Sequence, residues 1–196
     1  MRLNQALAML DAILCPEWEF RYFSFNDQWD EGEKLGLMRN GEGDDWLIFF
    51  KSSGAVIKGF VHSCPMAEGA PWPGLFEGVP ELFDGFLDEP AFSREATTFC
   101  VWRQSTDAAW QQGAAKPPAG DDPDGSKYLM SFLDGDPATY KRWGDEYFGQ
   151  PIQLAAIERI YRHVPLNPGL VASLNPEVNF RELCEEADDI IGYPVA

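Results

Sequence analysis

Lys34 to Lys51 reads KLGLMRNGEGDDWLIFFK. Two runs that suit strands, 34–39 and Trp46-Leu47-Ile48-Phe49-Phe50-Lys51, flank Asn40-Gly41. Asn-Gly supplies the positive φ angles of a tight reversal, so the two runs are expected as antiparallel neighbours. Gly43 makes the loop longer than two residues. Upstream, Phe20-Arg21-Tyr22-Phe23-Ser24-Phe25 is short and aromatic, which suits a pleated, half-buried surface. Downstream, Ser52-Ser53-Gly54 separates the second run from Ala55-Val56-Ile57-Lys58-Gly59-Phe60-Val61, which predicts another hairpin. The result is an antiparallel meander of three or four strands over residues 20–61. Leu3, Leu7, Leu10 and Leu14 recur at helical spacing with Ala6 and Ile13 beside them. They predict an amphipathic first helix that packs on one face of the sheet and leaves the other face wet.

The pattern changes along the chain. Residues 64–80 are rich in Pro and Gly and include Pro71-Trp72-Pro73-Gly74, so they are expected as loop. Residues 81–87 predict a short helix and Thr97 to Arg103 one more strand. Gln111 to Ser126, QQGAAKPPAGDDPDGS, is of low complexity and predicts a linker or mobile surface loop. From Lys127 on, the periods are helical. Asp136-Pro137 is a cap followed by proline at the first helical position. Tyr140, Trp143, Tyr147 and Phe148 form one stripe, and Leu154, Ile157, Ile160, Tyr161 and Val164 the next. A last amphipathic helix covers about 179–189, with Phe180, Leu183, Cys184 and Ala187 inward. Strands first and helices later predict the α+β class: an N-terminal helix packed on an antiparallel meander, followed by a mainly helical C-terminal half. Because about seventy residues form a marginal core alone, residues 1–196 are expected as one composite domain. Its parts are a sheet-rich 1–110, the loop 111–126 and a helical 127–196.

Apolar residues make up 45% and aromatic ones 14% of the chain, which excludes disorder by composition. Fifteen basic side chains face 32 acidic ones, a formal net charge of −17. Such a field repels phosphate backbones and anionic headgroups and attracts cationic partners, so neither nucleic acid nor membrane is expected as a partner. Cys15, Cys64, Cys100 and Cys184 form no C-x-x-C pair, which removes the usual zinc and thioredoxin-like spacings. Asp11 interrupts the first apolar run, and Ile13-Leu14 before Cys15 lacks the small residues of a cleavage site. No run reaches the ~20 apolar residues of a membrane span. A cytoplasmic location is expected.

His62-Ser63-Cys64 is the most reactive-looking cluster. A cysteine nucleophile needs a base beside it, and His62 and Cys64 would share one face of a strand. His163, the other histidine, falls in the late helical region. Asp121, Asp122 and Asp124 before Gly125 suggest a calcium loop, but no register puts glycine at position six and glutamate at twelve. Turn chemistry is the reading left. Glu42, Asp44 and Asp45 crowd the Asn40-Gly41 tip and would suit a basic patch on another protein. Trp18, Trp29, Trp72 and Trp110 fall outside the main stripes; Trp72, between two prolines, is the candidate binding anchor. Nucleotide-binding glycine motifs, G-x-S-x-G and H-E-x-x-H are all missing, so no cofactor or metal is expected.

Trp29-Asp30-Glu31-Gly32-Glu33, Met38-Arg39-Asn40-Gly41 with Gly43-Asp44, and Thr97-Thr98-Phe99-Cys100-Val101-Trp102-Arg103 together resemble a group of bacterial proteins without an assigned activity. Val79-Pro80-Glu81-Leu82-Phe83-Asp84-Gly85-Phe86-Leu87 resembles the proline-led helix of the Smi1/Knr4-like superfamily, which includes toxin-immunity proteins. There an Asn-Gly-Gly often follows; here Asp88-Glu89-Pro90 stands in its place. The first group has no assigned activity, so that resemblance brings no site residue with it.

Two functions follow as expectations. The first is an acidic binding protein, of the inhibitor or immunity type, that engages a basic protein partner. The second is a small cytoplasmic hydrolase that uses carboxylates or the His62/Cys64 pair in a groove between sheet and helices.

Overall fold

The computed structural model describes residues 1–196. The chain begins with helix α1 (Arg2–Leu14) and continues into β1 (Phe23–Asp30), β2 (Glu33–Arg39), β3 (Asp45–Lys51) and β4 (Gly54–Phe60). Helix α2 (Asp84–Leu87), β5 (Phe99–Gln104) and β6 (Gln111–Gln112) follow. Then come α3 (Ser126–Leu129), α4 (Pro137–Tyr147), α5 (Leu154–Tyr161), α6 (Pro168–Leu174) and α7 (Phe180–Glu186). The six strands form one antiparallel sheet in the order β1-β2-β3-β4-β5-β6, each beside its neighbour in sequence. This is the α+β arrangement expected. The meander runs to six strands where three or four were expected over residues 20–61, because β5 pairs with β4 and β6 with β5; Gly32 at φ 72° lies in the reversal between β1 and β2.

Two compact units make up the chain: residues 1–36 with 131–196, and residues 37–130.

In the first unit, α1 packs on β1, as the leucine spacing requires, but also on α5, α6 and the helical turn 187–191. Every residue from Asn4 to Ile13 is therefore buried, and α1 has no wet face. A helix covered on all sides must satisfy its polar groups internally. Gln5 does so by donating Nε2 to the carbonyls of Ile191 (3.1 Å) and Gly192 (3.0 Å). The strand expected at Phe20 starts at Phe23 instead. Arg21 holds the preceding residues in a compact turn, donating to the carbonyls of Cys15 and Pro16, both at 2.8 Å. The one cap expected from sequence is present: Asp136 accepts from Ala138 N (2.9 Å), starting α4. Asn167 and Asn179 do the same for α6 and α7. The tail closes back unexpectedly, with Leu166 bridging Val195 in parallel and Tyr193 Oη donating to the carbonyls of Ile160 and Val164, each at 3.1 Å.

In the second unit, β3 and β4 pair over seven residues from Asp45↔Phe60 to Lys51↔Gly54. Trp46 to Phe49 are all buried, so neither face of these strands is wet. Residues on both sides of the sheet explain it. Phe49 stacks on Phe86 of α2 at 5.1 Å, while Trp46 Nε1 donates to Leu129 O of α3 (3.2 Å). The segment 111–126, expected as linker or mobile loop, begins as strand: Gln111 and Gln112 pair with Trp102 and Val101. Gly113 then lies so close to the 74–75 backbone that a Cβ would fall 2.2 Å from Gly74 O.

Candidate functional site

Among the expected site residues, the structure joins two that sequence spacing kept apart. Gly41 and Gly43, at φ 75° and 105°, turn the β2–β3 loop back on itself. Asn40 Oδ1 accepts from Glu42 N (2.8 Å) and Asp44 N (3.1 Å). That directs the Asp44 side chain inward, where it is 6% exposed. Its Oδ2 accepts from Asn40 Nδ2 (2.9 Å). Its Oδ1 accepts from His62 N (2.8 Å) and lies 2.6 Å from His62 Nδ1. The His62 side chain is 51% exposed. A proton on Nδ1 would be donated to that carboxylate, which would leave Nε2 as the acceptor of a neutral ring.

This changes both expected clusters. The hairpin tip is not three solvated acids, because only Glu42 is exposed. Asp45 is half-buried, and burial pushes its carboxyl above the usual range against the pull of Lys58. The His62/Cys64 pair does not share a strand face either, because β4 ends at Phe60. Cys64 belongs to a turn of its own, with its N–H on Val61 O (3.3 Å) and its carbonyl accepting from Ala67 N (3.0 Å). His62 is held by Asp44 instead.

Lys58 is a buried cation that spacing did not flag. Its ammonium donates to the carbonyls of Phe92 and Ser93 and reaches Thr97 Oγ1 (3.4 Å). Burial lowers its pKa while Asp45 opposes the shift. Its cross-strand neighbour is Cys100, whose thiol burial pushes up to about 12. A thiol kept protonated is a poor nucleophile. Cys100 lines a cleft of about 120 Å³ with Met66, Phe99, Asp124 and Met130. The Asp121–Asp124 carboxylates serve the chain locally. Asp122 accepts from Lys127 N (3.0 Å) and Tyr128 N (2.9 Å), and Asp124 from Ser126 N (3.0 Å). Nowhere do three His, Cys, Asp or Glu side chains converge as a metal site requires. Trp72 is half-buried and clips its own loop, its Nε1 donating to Glu68 O (3.3 Å).

Trp110 and Tyr128 face solvent in the second unit, and Trp18, Phe20, Trp29 and Tyr147 in the first. A 3-10 turn over Trp18–Phe20 leaves Trp18 54% and Phe20 56% exposed. Tyr147 Oη donates to Phe20 O (2.9 Å), fixing the turn above a ring cluster in which Trp143 stacks on Tyr147 at 4.9 Å. Ile190 is 47% exposed. It shares a recess of about 70 Å³ with Trp18, Ala8 and Phe25. Glu17, Glu19, Asp188 and Asp189 flank these apolar side chains in sequence and are all exposed. The nearby cation, Arg21, is 5% exposed and gripped by both carboxylate oxygens of Glu186. Phe20 and Ile190 were not expected as site residues. The signal available was the alternation Glu17-Trp18-Glu19-Phe20, acid and aromatic in turn.

Comparison with family models, with curated proteins and with solved structures finds no match to this chain. No helix is long and apolar enough to cross a membrane.

Proposed function

We propose that this is a non-catalytic acidic binding protein, of the inhibitor or immunity type, which engages a basic protein partner in the cytoplasm. The observation that carries this reading is where the positive charge goes. Arg21, Lys34, Arg94, Lys127, Lys141 and Arg181 are each paired with one of the chain's own carboxylates, and Lys58 is buried. With 32 acids to 15 bases, the outward field is negative. Such a field speeds capture of cationic proteins and discriminates against anionic ones. Titration calorimetry against small basic and small acidic proteins tests it. Binding confined to the basic set is expected; equal binding to both sets, or to neither, contradicts it.

The 2.6 Å approach of His62 Nδ1 to Asp44 favours a second reading, a small hydrolase with His62 as general base oriented by a buried carboxylate. Turnover in a substrate screen that is lost in His62→Ala would establish that reading in place of the first.

A further inference from the structure

Resting on the binding reading above, we propose that Trp18, Phe20 and Ile190, with the carboxylates of Glu17, Glu19, Asp188 and Asp189, form the docking surface for a lysine- or arginine-rich amphipathic segment of the partner. Exposed apolar side chains rimmed by charge mark interaction sites more often than scattered ones do. Here each anchor has an acid on at least one side in sequence. The anchors are also held rigidly, which lowers the entropy lost on binding. The Tyr147 bond to Phe20 O fixes one side, and the Arg21–Glu186 pair fixes the floor of the recess.

Charge complementarity selects the occupant. An aliphatic side chain of the partner enters the recess between Trp18 and Ile190, and cations on either side of it meet the rim carboxylates. Arg21, already neutralised by Glu186, does not compete with them. A second copy of the chain would bring its own −17 against this surface, and an anionic membrane would be repelled in the same way. The surface lies in the first unit and does not involve the Glu42 tip.

A synthetic amphipathic peptide of leucine and lysine serves as probe, with a leucine/glutamate peptide as control. Fluorescence anisotropy at physiological ionic strength is expected to show binding of the lysine peptide alone. Carbodiimide cross-linking should join its lysines to Glu17, Glu19, Asp188 or Asp189. Phe20→Ser with Ile190→Ser leaves the charge unchanged and should weaken binding by at least about tenfold. Glu17→Lys with Glu19→Lys should weaken it comparably. If the serine variant binds as the parent does, or the cross-links fall at Glu42 instead, this surface is wrong while the acidic-binder reading stands. If the lysine peptide does not bind the intact chain at all, both fall. Should the serine variant fail to fold, the cross-link map of the parent protein decides.

Discussion

Asp11 shows how one residue shapes the pH response of this protein. It is fully buried, accepts at Oδ2 from Tyr22 N and Phe23 N (both 2.8 Å), and takes the Tyr140 hydroxyl at Oδ1 (2.7 Å). Burial outweighs these donors and raises its pKa from 3.8 to about 7. The folded chain therefore keeps a proton that the unfolded chain releases between those values. Stability from this group is complete below the unfolded pKa and is lost as pH rises through the folded one. The shift corresponds to something on the order of 4 kcal/mol. Urea midpoints measured from pH 4 to 8 should show the parent losing stability relative to Asp11→Asn, which has no charge to bury. Parallel profiles for the two proteins would refute the assignment. Sequence reading saw Asp11 only as a break in an apolar run. Its partners lie 11 to 129 positions away, beyond the reach of periodicity. The Asp44–His62 contact is hidden for the same reason, being 18 positions apart.

Elements were more legible than side-chain contacts, because each carries its own start and stop chemistry. Asn40-Gly41 announced the β2–β3 reversal, and Asp136-Pro137 the start of α4. Tertiary packing modified a local pattern in two places. The leucine stripe of α1 implied a wet face, yet later helices cover it. Low complexity at 111–126 implied a linker or mobile surface loop; residues 111–112 pair as β6 instead, and glycine at 113 lets the backbone press on residues 74–75, while 113–125 form no helix or strand. The short α2 illustrates how much a single turn contributes. It buries Phe86 and Leu87 and sets Phe86 between Phe49 and Phe92, each at 5.1 Å. Removing a buried ring of this kind costs about 3–5 kcal/mol. Phe86→Ala should lower the unfolding free energy, measured by urea titration, by that amount, and a loss under about 1 kcal/mol would show that α2 does not seal the sheet.

At the scale of the whole molecule, charge decides more than any motif. A net charge of −17 over 196 residues was visible in the composition, and so was the sign of the partner it favours. The contact surface proposed above was not visible there. The sequence pointed to Glu42, Asp44, Asp45 and Trp72, whereas the structure turns Asp44 inward and ties Trp72 to its own loop. It leaves Trp18, Phe20 and Ile190 facing solvent instead. Attraction between exposed charges is screened within about 8 Å at physiological salt, so the claim has a direct physical signature. The decisive measurement is the affinity for one small basic protein across a range of salt concentrations. Affinity that falls steadily as salt rises, with an acidic protein of equal size unbound throughout, is the predicted result. Affinity indifferent to salt, or shared by the acidic protein, would contradict it.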